Sequence, residues 1–92
     1  MENRNNMHPL VARRSFDNEA PVWLFETEQE ARDELKRQFE EEIRIETEEN
    51  GFVLGRNITA EIDPIHTYAK VVIHHYADDD DIYEWLLGDI KN

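Results

Sequence analysis

The 92-residue chain contains no cysteine. Disulfides and thiolate-bound metals are therefore excluded, and a reducing compartment is its natural setting. No apolar run approaches the roughly 20 residues of a membrane span, and the opening MENRNNMHPL lacks the apolar centre of a secretory signal. A soluble cytoplasmic protein is expected. Glycine occurs only at 51, 55 and 88, which builds no phosphate-cradling loop. Ser15 is the only serine, and no base is fixed near it in sequence, so nucleophilic catalysis has no support. Basic residues are scarce as well: 10 Lys and Arg stand against 22 Asp and Glu, a formal net charge of −12. Such a field repels nucleic acid and anionic lipid and attracts basic protein surfaces.

That charge is unevenly spread. In residues 1–20, Arg4, Arg13 and Arg14 balance Glu2, Asp17 and Glu19, and the whole excess lies from Pro21 onward. With only Met7, Leu10, Val11 and Phe16 as large apolar residues, residues 1–20 read as a flexible arm. Residues 21–92 read as one α+β domain with a small core.

The elements of that domain follow from local pattern. PVWLFE at 21–26 suits a strand. Thr27 with Glu30 has capping-box spacing, and Ala31, Leu35, Phe39 and Ile43 then recur every four residues as a helical stripe. Glu28 with Arg32, Asp33 with Arg37 and Glu40 with Arg44 are spaced for i,i+4 attraction. The helix is expected to run to Glu49 and stop at Gly51. The competing reading is a hairpin about Asn50-Gly51. NITAEID at 57–63 alternates with Ile58, Ala60 and Ile62 inward. YAKVVIHHY at 68–76 does so with Ala69, Val71 and Ile73 inward and Tyr68, Lys70, Val72, His74 and Tyr76 outward, predicting a hairpin. Tyr83, Leu86, Leu87 and Ile90 share one helical face, which predicts a second helix. The sum is a β-α-β-β-α domain: a three-stranded mixed sheet in the order 2-3-1, with two helices on one face.

Asp78 to Asp81 immediately precede that last segment. A calcium loop of EF-hand type fails on spacing: counting from Asp78, position 5 is Ile82, position 6 Tyr83 and position 12 Asp89. A cap is more economical, since Asp81 with Glu84 has box spacing and acids suit a helix N-terminus. One or two aspartates serve that purpose, and four exceed it. His74 and His75 are adjacent on a strand and point to opposite faces, so zinc is not expected. No cofactor, metal or catalytic residue is assigned, and the chain reads as a non-enzyme.

Two candidate surfaces remain. The acidic one comprises Glu28, Glu34, Glu40, Glu41, Glu42, Glu48 and Glu49 on the helix, with Asp78, Asp79 and Asp80. Carboxylates one helical turn apart lie about 5–6 Å from each other, comparable to successive phosphates, although Arg32, Lys36, Arg37 and Arg44 dilute the row. The second is the uncovered sheet face, with Tyr68, Lys70, Val72, His74 and Tyr76 as anchors for a dimer or a partner. Trp23 and Trp85 are expected in the core. In being small, cysteine-free and strongly acidic the chain resembles inhibitors that phages and mobile elements direct against host nucleic-acid enzymes; no motif carries the likeness. It implies an acidic protein that occupies the nucleic-acid-binding surface of a basic enzyme such as a CRISPR effector, nuclease or polymerase. The alternatives are an immunity or antitoxin protein neutralising a basic toxin, and a structural homodimer.

Overall fold

Thr27 opens the helix in the manner its spacing requires. In a computed structural model, which describes residues 7–88, the Thr27 hydroxyl accepts from the Glu30 amide at 3.1 Å, and the Glu30 carboxylate accepts from the Thr27 amide at 3.2 Å. Two otherwise orphaned donors are satisfied reciprocally. Helix α1, Glu28–Arg44, buries Ala31, Leu35 and Phe39. It continues into a π-helical turn, Ile45–Glu49, and Gly51 follows at φ 79°, a left-handed conformation that glycine adopts without steric cost. The chain is thus helical up to Asn50-Gly51, and no hairpin forms there.

The sheet differs from the expectation. It has five strands: β1 (His8–Arg14), β2 (Val22–Phe25), β3 (Ile58–Ile62), β4 (Tyr68–Ile73) and β5 (Asp81–Leu87). Their order is β2-β1-β5-β4-β3, and every neighbouring pair is antiparallel. The three-stranded mixed sheet of order 2-3-1 with two helices is therefore corrected to a five-stranded antiparallel sheet with one α-helix among the described residues. The broad class, α+β, stands.

Two segments account for the correction. Residues 8–14, expected within a flexible arm, form an interior strand bonded to β2 on one side and β5 on the other. The pairing extends past the strand, because Ser15 N–H donates to the Ile82 carbonyl and Ser15 Oγ accepts from the Ile82 amide, both at 2.9 Å. Residues 81–87, expected as a helix, form the central strand β5 between β1 and β4. Ile90 and residues 1–6 lie outside the described residues.

Register explains why β5 is a strand. Trp85 faces Ala12 on one neighbour and Ala69 on the other. A small side chain on each side leaves room for the indole, which is buried and donates from Nε1 to Gln38 Oε1 of α1 at 3.0 Å. Phe39 meets the same indole edge-on, with ring centroids 6.2 Å apart. Leu10, Leu35, Ile58, Val71 and Ile73 complete the core, each buried side chain contributing about 1.5–3 kcal/mol. Helix α1 covers this one face, and the other face of the sheet has no covering layer among the described residues. No helix there is long and apolar enough to cross a membrane.

Candidate protein interface

The acids along the side of α1 are largely neutralised by the helix itself. Glu28 pairs with Arg32. Arg37 grips Glu34 through two bonds of 2.8 and 2.6 Å, and Arg44 grips Glu41 through two of 3.1 and 2.5 Å. Lys36 lies 4.0 Å from Glu40. Arginine's forked donors favour this bidentate geometry, so i,i+3 partners replace the expected Asp33–Arg37 and Glu40–Arg44 pairs; Asp33 accepts from Gln29 instead. The guanidinium of Arg37 holds the Glu34 carboxyl below its ordinary range, and that of Arg44 does so for Glu41. The helix flank is zwitterionic, not a bare anionic row.

At the C-terminal end of α1 the balance changes. Glu48 and Glu49 are exposed and share Arg44 at 3.5 Å each, while Arg44 is already committed to Glu41. The β4–β5 loop arrives at the same end. There His75 Nε2 lies 2.8 Å from Asp81, its ring meets Phe52 edge-on at 6.1 Å, and the Phe52 amide donates to the Glu46 carbonyl at 2.9 Å. Asp81 is not a helix cap: it is the first residue of β5, and its hydrogen-bond to His75 raises the imidazole pKa above its ordinary value. Asp80 pairs with His74 at 3.2 Å. Asp78 and Asp79 are exposed and enter no ion pair among the described residues. The negative end of the helix dipole adds to this field.

Beneath this acidic end lies a carboxylate pair that sequence reasoning missed as a unit. Glu46 is 5% exposed; it accepts from Asn50 Nδ2 at 2.8 Å and from the Tyr83 hydroxyl at 3.4 Å. Glu42, one turn earlier, lies within hydrogen-bonding reach of Glu46 and is pushed up to about 7 by burial and by that neighbour. A partly buried carboxyl beside another carboxylate is disfavoured from ionising. Burial, with Glu42, Glu46 and Asp81 nearby, also raises the Tyr83 phenol. Arg14 stacks over the Tyr83 ring at 5.9 Å, and Phe16 meets it edge-on at 5.4 Å. A signal for this site was present: Ala31, Leu35 and Phe39 continue at three- and four-residue spacing to Glu42 and Glu46, which puts both on the buried stripe.

The opposite face of the sheet carries Tyr68, Lys70 and Val72, as the alternation of β4 requires. His74 and Tyr76 lie beyond the end of β4 at Ile73. His74 bonds Thr59 at 2.8 Å on that side, and Tyr76 is fully exposed. The two histidines do point apart, and among the described residues no group of three or more His, Cys, Asp or Glu is placed to hold a metal ion. Residues 8–14 do not cover this face, because they are part of the sheet. Comparison of the chain with protein-family models, curated proteins and solved structures found no match.

Proposed function

We propose that the protein binds the cationic, nucleic-acid-binding surface of another protein and blocks it, with its acidic end as the contact. The observation that carries this reading is the segregation of charge. The flank of α1 is neutralised by Arg32, Arg37 and Arg44. Glu48 and Glu49 at the helix end instead share a single arginine, and in the β4–β5 loop Asp80 has only His74 while Asp78 and Asp79 enter no ion pair among the described residues. A groove that holds phosphates lines up lysine and arginine side chains, which would meet these carboxylates with steered, salt-sensitive association. Glu28, Glu34, Glu40 and Glu41 contribute to the long-range field and not to the contact. The role is binding, and it needs no cofactor or catalytic group.

The test uses the immobilised protein and the heparin-retained, basic fraction of a lysate from its source organism. A captured protein should be released by rising salt and displaced by double-stranded DNA. The Asp78→Lys/Asp79→Lys variant, with an unchanged circular dichroism spectrum, should bind it at least tenfold more weakly, about 1.4 kcal/mol. Capture indifferent to both salt and these substitutions would remove the reading.

A further inference from the structure

The uncovered sheet face carries a row of alternating charge that crosses four strands. Register places Arg13 of β1 opposite Glu84 of β5, Glu84 opposite Lys70 of β4, and Lys70 opposite Glu61 of β3. All four side chains stand on the side away from α1, since the residues flanking them in each strand, among them Ala12, Trp85 and Ala69, face the core. Direct cross-strand neighbours of opposite sign ordinarily pair with one another. Here no ion pair joins any of the four among the described residues. Glu84 instead accepts from the Tyr68 hydroxyl at 2.7 Å, and the same carboxylate helps push the Tyr68 pKa up to about 12 after burial. On either side of the charged row the central strands are apolar: Val11, Leu86 and Tyr68 form one row, and Ile82 and Val72 the other, which ends on β3 in Thr59, while Val22 and Leu24 extend the face over the edge strand with half their surface exposed.

We infer that this face binds a second copy of the chain, sheet on sheet, about a twofold axis that runs parallel to the strands between β5 and β4. The charges select that axis. Rotation about it reverses the row, so the sequence plus, minus, plus, minus meets its own complement. Arg13 faces Glu61 of the other copy, and Glu84 faces the other copy's Lys70, each contact occurring twice. The same rotation sets Leu86 against Tyr68 and Ile82 against Val72. A twofold axis across the strands would instead set Arg13 on Arg13 and Glu84 on Glu84, which is repulsive at every position. The chosen axis keeps the strands of the two sheets aligned, the common mode of sheet packing, with the layers about 10 Å apart.

The face is small. About this axis β2 has no counterpart, so four strands about 4.8 Å apart and six residues of about 3.3 Å each meet over roughly 15 Å by 20 Å. That is below the size of stable specific interfaces, so the dimer is weak and its formation depends on concentration. The axis also leaves both Asp78–Asp81 loops at one end of the dimer. Their repulsion is screened beyond about 8 Å at physiological ionic strength, so the test is made there.

Sedimentation equilibrium of the full chain over a wide concentration range reads the association directly. The wild type should form a reversible dimer. Glu84→Lys places lysine against the other copy's Lys70, and Lys70→Glu places glutamate against its Glu84; each variant alone should associate at least tenfold more weakly while keeping the wild-type circular dichroism spectrum. An equimolar mixture of the two variants restores both contacts and should dimerise like the wild type. A wild type that stays monomeric overturns the inference. So does self-association of either variant at wild-type strength, or a mixture that remains monomeric.

Discussion

A chain that begins at Pro21 does not fold. The segment it lacks is interior to the sheet: β2 pairs only with β1, so β2 loses every ladder bond, and β5 loses one of its two partners. Leu10, fully buried, and Ala12 leave the core, which opens the floor beneath Trp85 and Trp23. Leu10→Ala alone should cost about 3 kcal/mol. Removing the whole strand adds lost hydrogen bonds and an exposed edge, which together exceed the roughly 5–15 kcal/mol that a small domain has in total. Far-UV circular dichroism with urea titration decides the matter. The truncated chain should show no cooperative transition where the full chain shows one; a cooperative transition in residues 21–92 would return residues 8–14 to the status of an arm.

The second large effect is on pH dependence. Glu42 is raised from 4.5 to about 7, so between those values the folded protein keeps a proton that the unfolded chain has released. Stability therefore falls as pH rises through that window and levels off above it. His75, also raised, acts in the same direction: its contribution is present below the ordinary histidine value and is lost as pH rises through the folded one. A shift of this size in Glu42 corresponds to about 3 kcal/mol at most, and its partial exposure lowers that to about 2. Urea unfolding at pH 5 and pH 8 should show this loss in the wild type. Glu42→Gln, whose amide can donate permanently to Glu46, should remove the Glu42 share of the loss and be the more stable protein at pH 8. Parallel profiles for the two would show that the pair holds no extra proton. At the acid end the sign reverses, because Glu34 and Glu41 are held low by Arg37 and Arg44 and their contribution is lost as pH falls through those depressed values.

What could be read from the chain was what its neighbours in sequence decide. Thr27 and Glu30 complete each other across three residues, and Ala31, Leu35 and Phe39 lie on consecutive turns of one helix. The alternation of 58–62 and 68–73 is likewise settled over a few residues and one short turn. β1 and β5 are decided elsewhere. HPLVARR sends only Leu10 and Ala12 fully into the core, and its partners Trp85 and Leu87 lie more than seventy residues away. In DIYEWLL, Tyr83, Leu86 and Leu87 fit a helical face as well as Tyr83, Trp85 and Leu87 fit a strand. A central strand apolar on both sides loses the clean alternation that would separate the two. Asp81 and Glu84 have the spacing of a capping box and yet stand in a strand, on opposite faces of it.

The same distinction runs through the surfaces. The acidic character of α1 was legible, but its neutralisation by i,i+3 arginines was not, because Glu34 and Asp33 compete for Arg37 and only side-chain geometry chooses between them. The approach of the β4–β5 loop to the C-terminal end of α1, through His75 against Phe52 and Tyr83 against Glu46, depends on residues 81–87 being a strand, which the mistaken helix concealed. Lys70 was named as an outward residue of the sheet face. Its place in a row with Arg13, Glu84 and Glu61 required the register of three strand pairs.

The central claim is that the acidic end, and not the flank of α1, engages cationic macromolecules. Amide chemical-shift perturbation of the isotope-labelled protein, titrated with an arginine homopolymer peptide at physiological salt, addresses it residue by residue. The account predicts shifts concentrated in residues 46–50 and 74–81 and suppressed by added salt. Shifts distributed evenly along Glu28–Glu41, or centred there, would contradict it.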